Sequence, residues 1–351
     1  MDTRQRVGRL AGATGVVIVA LVGGLFFANM PPLAQASDPA PASLPTAGPS
    51  PSSGQPASLE ALPTIVAVQP TPATPATARP GQVAAAQPAV HRVWVIMMEN
   101  KEYATVVGSP DAPYLNSLAT QYGLATQFYA TGHPSLPNYV ALVAGSTLGV
   151  VTDVQYHLRA PSVFSQLAKA GRPWRVYAQD DRTGCFTGVS LSPGQDGPGL
   201  ASEYVRKHNP AINFASIVNN PAQCRSIQPL AAFDPTAGAF EMIVPNLLND
   251  MHNGTIAQGD AFLKAFVPRI IDSPAFTPGS VLFITFDEGK SDAGLHGDKG
   301  GQIPTLVIAP GMPAGARITT YEDHYSILRT TEDLLGLPCL ANACHRAPIN
   351  W

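Results

Sequence analysis

From residue 91 onward, the chain alternates continuous apolar runs with segments in which apolar residues recur at helical spacing. The apolar runs are typical of strands buried on both faces of a parallel sheet, and they lie at 92–98, 124–130, 174–178, 281–286 and 305–310. The helical segments lie between and after them, at 115–122, 136–145, 162–171 and 324–336. This alternation predicts an α/β fold with a mainly parallel central sheet and helices on both faces.

The first 36 residues have the pattern of an export signal. A basic start is followed by an uncharged, largely apolar stretch at 10–30 and then by the small residues Ala34 and Ala36. This order is typical of a signal peptide cleaved before Ser37, and it predicts a secreted or extracytoplasmic protein. The alternative is an uncleaved signal anchor, because residues 10–30 are about long enough to span a bilayer and would tether the protein to the membrane.

Residues 37–90 differ in composition from the rest of the chain. Twelve of these 54 residues are proline, most of the others are Ala, Ser or Thr, and only three are charged. Such a segment buries too little apolar surface to offset the entropy lost on ordering it. We therefore expect a disordered linker over 37–90 and one folded α/β domain over 91–351.

Charge and cysteine content restrict the class of protein further. The chain has 24 acidic and 21 basic side chains, a net charge of −3, so a broad basic surface for a nucleic-acid partner is not expected. Four cysteines in an exported chain indicate two disulfides, for which three pairings exist. We expect a small loop closed by Cys339–Cys344 and a long insertion stapled by Cys185–Cys224. A thiolate metal site would need closer spacings such as C-x2-C, which the sequence lacks.

Acidic and imidazole side chains follow several of the predicted strands. In open α/β sheets, ligands bind at the carboxyl ends of the strands. The polar groups at or near these ends form a plausible site for a hard cation, and they are Glu99, Asn100, Asp250, His252, Asp287, Glu288 and His324. Each residue alone is equally well explained as a turn or helix-cap residue. Their shared placement favours a site.

Ser135 is a candidate nucleophile. It lies between the predicted strand 124–130 and the predicted helix 136–145, close to a helix N-terminus that favours an anion such as a phosphoryl group. A hydroxyl at this place can be deprotonated by metal coordination. The alternative is an ordinary N-cap serine. Asn138, on the first turn, is placed either to donate to a phosphoryl oxygen or to face solvent.

Six motifs occur along the domain in a recognisable order. They are MMEN at 97–100, HPSLPNY at 133–139, RKHNP at 206–210, PNLLNDMH at 245–252, FDEG at 286–289 and DHYSILRT at 323–330. In these motifs the chain resembles the bacterial phosphoesterase family of acid phosphatases and phospholipases C, within the alkaline phosphatase superfamily. The resemblance covers essentially all of 91–351 and implies an alkaline-phosphatase-like fold.

The resemblance also implies roles for individual residues. Ser135 matches the nucleophile that is transiently phosphorylated, and Asp250, His252 and His324 match either a second cluster of metal ligands or acid/base and phosphoryl-binding groups. Asn138 and His208 match positions that contact the phosphoryl oxygens, and His157 lies in a loop that could overhang them. The positions that match metal ligands are Glu99, Asn100, Ser135, Asp250, Asp287 and Glu288.

This chain differs from the better-known alkaline phosphatases in its ligand set. They have Asp at the first strand end and an Asp-His pair at the late strand, whereas this chain has Glu99-Asn100 and Asp287-Glu288. More oxygen donors favour Ca²⁺, Mg²⁺ or Mn²⁺, with Zn²⁺ as the alternative. We expect an exported phosphomonoesterase for phosphate-ester substrates. The alternatives are a phospholipase C and a catalytically inactive binding module on the same fold.

Overall fold

The computed structural model describes residues 91–181, 183–188, 204–294 and 299–351. The predicted export signal at 1–36 and the predicted linker at 37–90 lie outside the described residues. None of the helices in these ranges could serve as a transmembrane span.

An eight-stranded sheet forms the centre of the domain, with the strand order β5-β4-β6-β1-β7-β8-β2-β9. A two-stranded sheet pairs β3 with β10. The strands are β1 (Val93–Met98), β2 (Gly123–Ala125), β3 (Phe128–Tyr129), β4 (Trp174–Ala178), β5 (Ile227–Pro229), β6 (Phe240–Val244), β7 (Val281–Phe286), β8 (Thr305–Ile308), β9 (Ala316–Ile318) and β10 (Glu322–Asp323).

Pairing in the large sheet is mainly parallel. Strands β5, β4, β6, β1 and β7 pair in parallel with one another, β8 pairs antiparallel with both β7 and β2, and β9 pairs in parallel with β2. Every residue of β1, β6 and β7 is buried, so both faces of the sheet are covered at its centre. The predicted α/β fold with a mainly parallel sheet is confirmed.

The helices pack in groups around this sheet. One group joins α3 to α4 and α9, and another joins α2 to α7 and α8. The helices are α1 (Tyr103–Val106), α2 (Pro113–Gln121), α3 (Ser135–Ala144), α4 (Val163–Lys169), α5 (Ala215–Val218), α6 (Pro221–Cys224), α7 (Ile256–Phe266), α8 (Pro268–Ile271) and α9 (His324–Leu335), with 3-10 turns at Arg206–His208, Pro210–Asn213, Leu230–Ala232 and Ala341–His345. The ends of α3 and α9 follow the prediction, because Gly145 and Gly336 take the left-handed conformation that stops each helix.

Two parts of the predicted sheet differ from the structure. The apolar run at 124–130 is divided between β2 in the large sheet and β3 in the small one, because the chain crosses from one sheet to the other at Thr126 and Gln127. The predicted strands also lack β5, β6, β9 and β10, of which β6 lies beside β1 at the centre of the sheet. Glu241 interrupts the apolar pattern of this strand, although its side chain is fully buried.

Both predicted disulfides are present. The Cα atoms are 5.4 Å apart in Cys185–Cys224 and 5.1 Å apart in Cys339–Cys344. The small loop closed by the second disulfide lies against the C-terminal end of α3, where Asn342 N–H donates to the Gly145 carbonyl at 2.8 Å. A Cβ atom at Gly145 would collide with the Leu340 carbonyl, so this contact requires glycine.

Candidate active site

Three neighbouring strands bring three carboxylates together. Strands β6, β1 and β7 are adjacent and parallel, so their carboxyl ends lie side by side. Glu99 follows β1 directly, Asp287 follows β7 directly, and Asp250 lies in the segment after β6. Backbone contacts fix their spacing, because Glu99 N–H donates to the Asp250 carbonyl at 2.8 Å and Asn100 N–H donates to Asp287 Oδ1 at 3.0 Å. All three carboxylates are fully buried.

Ser135 lies against this cluster as the first residue of α3. Its hydroxyl donates to Glu99 Oε2 at 3.3 Å. The N-cap position belongs to Pro134, so the Ser135 hydroxyl does not cap the helix. Asn138 is buried one turn later, and its carboxamide accepts from Gly132 N–H at 3.0 Å and donates to the carbonyl of the same residue at 2.7 Å. These bonds fix the loop that begins at Gly132 and leads into Ser135.

The three carboxylates strongly affect one another. Burial raises the pKa of Glu99 well above its usual value, and the charges of Asp287 and Asp250 raise it further. Burial also raises the pKa of Asp287, although the hydrogen bond from Asn100 N–H lowers it. Carboxylates buried this close together favour holding a proton between them. A bound cation would take the place of that proton.

The donor set fits a metal ion. Ligand atoms of Glu99, His208 and His252 all lie within 4.8 Å of one another. The ring of His208 lies 3.2 Å from Glu99 Oε1 and 3.1 Å from Asp250 Oδ2, but its nitrogens are not aligned for hydrogen bonds. Asp250 Oδ2 and Asp287 Oδ2 also lack hydrogen-bond partners among the described residues. Buried polar atoms of this kind are unusual in proteins, and a cation would satisfy them.

The protonation states agree with this fit. Burial lowers the pKa of His208 well below its usual value, so the ring is held as the neutral imidazole that binds metals. The ring of His252 is half-buried, with Nδ1 2.8 Å from Asn253 Oδ1 and Nε2 3.2 Å from the Lys207 ammonium. Because an ammonium can only donate, Nε2 of His252 is the acceptor in this contact.

Glu288 and His324 lie at the edge of the carboxylate cluster. Glu288 Oε2 is 2.8 Å from His133 Nδ1, and burial together with the Asp287 charge raises the pKa of Glu288 to about 8. His324 is fully buried, with Nε2 2.9 Å from the Phe286 carbonyl and Nδ1 3.5 Å from Thr131 Oγ1. Both ring nitrogens of His324 therefore contact protein groups that precede Asp287 and Ser135 in the sequence.

Two other predicted site residues are not part of the carboxylate cluster. His157 is exposed, and its Nε2 lies 3.5 Å from Gln155 Nε2 within the same loop. The side chain of Asn100 is half-buried, and this residue meets Asp287 through its backbone. Asn100 takes a left-handed φ of 56°, a conformation that Asn adopts more readily than most residues.

Three residues at the site were not predicted from the sequence, namely Tyr139, Lys207 and Asp153. Tyr139 donates to Glu99 Oε1 at 2.5 Å and stacks on the His208 ring, with centroids 5.5 Å apart and an interplanar angle of 8°. Lys207 contacts His252 and lies 3.5 Å from Asp153. Tyr139 and Lys207 lie inside the motifs 133–139 and 206–210, which was the available signal. Asp153 had no comparable signal.

Two named relatives are similar to this chain in sequence. The chain is 32% identical over 271 residues to the phosphatidylinositol-3-phosphatase of Mycobacterium tuberculosis, covering 77% of this chain and 85% of that protein. It is 29% identical over 261 residues to a probable acid phosphatase of Kluyveromyces lactis, covering 72% of this chain and 60% of that protein. The chain therefore spans less than two thirds of the yeast relative.

A solved structure described as a protein of the alkaline phosphatase superfamily from Vibrio parahaemolyticus matches with a TM-score of 0.47 and 14% identity, covering 74% of this chain and 72% of that one. The model of the Phosphoesterase family matches residues 109–338, a range that contains Ser135, His208, Asp250 and Asp287. The relatives are named as phosphatases, and the predicted enzyme class, a phosphoric ester hydrolase, is confirmed. This chain belongs to the Phosphoesterase family.

Proposed function

We propose that this protein is an exported, metal-dependent phosphomonoesterase that works through a phosphoserine on Ser135. One observation carries the proposal, namely the contact between the Ser135 hydroxyl and Glu99 inside a buried group of carboxylates and imidazoles. Three carboxylates buried close together would destabilise an ordinary protein core, because unpaired buried charges are costly. The arrangement is useful where a cation and a phosphoryl group are bound.

In the proposed reaction, Ser135 Oγ attacks the phosphorus atom and the ester oxygen leaves. A divalent cation in this cluster would favour the ionised hydroxyl and balance charge on the phosphoryl oxygens. The start of α3 places backbone N–H groups beside the attacking oxygen, where they stabilise the same charge. Water then hydrolyses the phosphoserine and returns Ser135 to its free form. Asn138 keeps Ser135 in place throughout by holding the loop before it.

We assign the proton transfer to His252 and a positioning role to His324. His252 is half-buried and has a defined acceptor nitrogen, so it can exchange protons with the leaving oxygen and with water. His324 has both ring nitrogens engaged with Phe286 and Thr131. This geometry supports a role in fixing the two segments that carry Asp287 and Ser135.

The ligand set supports particular ions. Glu99, Asp250 and Asp287 supply oxygen atoms, which suit Ca²⁺, Mg²⁺ and Mn²⁺. His208 supplies an imidazole nitrogen, which suits Mn²⁺ and Zn²⁺ better than Ca²⁺, whereas His252 is kept for proton transfer. We therefore favour Mn²⁺, with Zn²⁺ as the alternative. Glu288, which pairs with His133, is assigned to the edge of the site rather than to the ion.

Export is part of the proposal. Two disulfides suggest an extracytoplasmic protein. The sequence of 1–36 adds the signal pattern, and the membrane anchor at 10–30 is its alternative. We propose a phosphate monoester as the substrate, in line with the named activity of the M. tuberculosis relative.

The nucleophile is tested by trapping. Wild-type enzyme, Ser135→Ala and the matched control Ser117→Ala are mixed with radiolabelled phosphate ester and quenched in acid. The Ser117 hydroxyl donates only to its own helix, at Tyr114, so this control should behave as wild type. We expect label on Ser135 in wild type and none in Ser135→Ala, whose turnover should fall by several orders of magnitude.

Four outcomes, from this experiment and from turnover assays of the same protein, would contradict parts of the proposal. Near wild-type turnover by Ser135→Ala, or label on a histidine, would contradict the serine assignment. Turnover that survives chelation, or a clear preference for a phosphocholine diester over a monoester, would contradict metal dependence or the monoesterase assignment respectively.

A further inference from the structure

A carboxylate of the protein itself lies at the start of the helix that carries Ser135. Leu136 N–H, one residue after Ser135, donates to Asp153 Oδ1 at 2.9 Å. The other oxygen, Asp153 Oδ2, lies 3.5 Å from the Lys207 ammonium. The two oxygens of one anion are thus held by a backbone N–H and by a cation. Two oxygens of a phosphoryl group would use the same pair of donors.

A phosphoryl group on Ser135 has to occupy this region. It would be attached one residue before the Leu136 N–H, which has no intrahelical acceptor because it belongs to the first turn of α3. A second observation points to a ligand at the same place. The Ser135 hydroxyl donates to Glu99 in the carboxylate cluster, and Asp287 of the same cluster is fully buried with an oxygen that has no hydrogen-bond partner among the described residues.

The loop that carries Asp153 is fixed at both ends and exposed at its tip. Val150 is buried before the tip, and Leu158 N–H donates to the Asn213 carbonyl at 2.7 Å after it. Between these anchors, Val151 and Val154 are 69% and 61% exposed. Little apolar burial therefore opposes an outward movement of the tip, and segments of this kind open at low cost.

We propose that Leu136 N–H and Lys207 form the cradle for the phosphoryl oxygens, and that Asp153 occupies this cradle until substrate displaces it. Asp153 is then an internal competitor of substrate and of inorganic phosphate. The exchange replaces one anion by another on the same donors, so neither the N–H nor the ammonium is left without an acceptor. This inference rests on the proposed function, since it places the phosphoryl group at Ser135.

Binding of inorganic phosphate to the metal-loaded full chain tests the inference without turnover. Calorimetry compares wild type with Asp153→Ala, Asp153→Asn and Thr152→Ala. If Asp153 fills the cradle in about 90% of molecules, its removal lowers the apparent Kd for phosphate about tenfold. Asp153→Asn keeps an acceptor for Leu136 but loses the attraction to Lys207, so its Kd should fall by less.

The controls separate competition from loosening of the loop. Thr152→Ala removes the contact of Thr152 Oγ1 with the Tyr156 hydroxyl in the same loop, and its Kd should equal that of wild type. Lys207→Met should weaken phosphate binding both alone and combined with Asp153→Ala.

Unchanged or weaker phosphate binding by both Asp153 variants, in proteins that still melt cooperatively, would overturn the inference. If Asp153→Ala does not fold, Asp153→Asn decides. A protein that binds phosphate as expected but traps no label on Ser135 would instead contradict the proposed function.

Discussion

The Tyr139 hydroxyl donates a 2.5 Å hydrogen bond to Glu99, in the buried space between α3 and the end of β1. This bond lowers the pKa of Glu99 against the effects of burial and of neighbouring carboxylates that raise it. Tyr139 therefore both orients Glu99 and favours its ionised form. Tyr139 thus holds the carboxylate that accepts a hydrogen bond from Ser135 of the same helix.

Tyr139→Phe should weaken metal binding and activity while leaving the fold intact. Partners that orient a metal ligand typically account for about 10- to 100-fold in affinity or activity, and we expect a loss in that range. The ring remains to stack on His208. Metal titration and turnover are compared with Tyr177→Phe, a buried tyrosine whose hydroxyl contacts Asp234 instead. Equal effects of the two substitutions would contradict the role of Tyr139.

Asp287→Asn should lower activity and, at high pH, raise the stability of the metal-free protein. Its turnover should fall by more than the roughly 10- to 100-fold typical of outer-shell changes at metal sites. Burial raises the pKa of Asp287 in the folded protein, so its contribution to metal-free stability is lost as pH rises through that pKa. At high pH, metal-free Asp287→Asn should therefore have a higher melting temperature than metal-free wild type, and the difference should disappear in acid. A difference in melting temperature that grows as the pH falls would contradict this expectation.

Glu241→Gln tests a buried acid in the missed strand β6. Burial is the main cause that raises the pKa of Glu241 from 4.5 to about 8, although Gly238 N–H donates to it. Because the folded form holds its proton more tightly, stability from this group is full below pH 4.5 and is lost as pH rises through about 8.

Wild type and Glu241→Gln should therefore have similar denaturant midpoints near pH 4.5. Above pH 8 the variant should be more stable by a few kcal/mol, because one pKa unit corresponds to about 1.36 kcal/mol. Glu60→Gln, in the proline-rich segment, is the control. Parallel pH profiles for wild type and Glu241→Gln would show that Glu241 does not carry this dependence.

Removal of the two disulfides should have unequal effects on stability. In the chain-entropy description, closing the longer loop stabilises more, and the two disulfides span 39 and 5 residues. Replacing Cys185 and Cys224 by serine should cost about 3–4 kcal/mol, and replacing Cys339 and Cys344 about 2 kcal/mol. Chemical denaturation of the two double variants measures this. Four free thiols in exported wild-type protein would contradict both disulfides.

The strands and acidic strand ends could be predicted because the signals are local. The apolar runs at 92–98 and 281–286 correspond to β1 and β7, and Glu99 and Asp287 follow these strands directly. The same reasoning failed for β6, because burial of a carboxylate inside a strand breaks the apolar pattern. It also could not divide 124–130 between two sheets, since pairing partners lie about 180–195 residues away.

The positions of His208 and Asp153 in the site depend on contacts between segments that are far apart in the sequence. His208 comes from a short 3-10 turn with no periodicity of its own, yet it stacks on Tyr139 and lies between Glu99 and Asp250. Asp153 reaches the start of α3 from an exposed loop. Neither position follows from neighbouring residues, because each is set by packing between segments far apart in the sequence or by a loop conformation.

The contact of Gly145 with the loop closed by Cys339–Cys344 has a consequence for α3. This loop holds the last turn of α3, and Ser135 forms the first turn of the same helix. One helix therefore joins a covalently closed loop at one end to Ser135 at the other. Reduction of this disulfide would loosen the loop and remove a restraint from the helix end opposite Ser135.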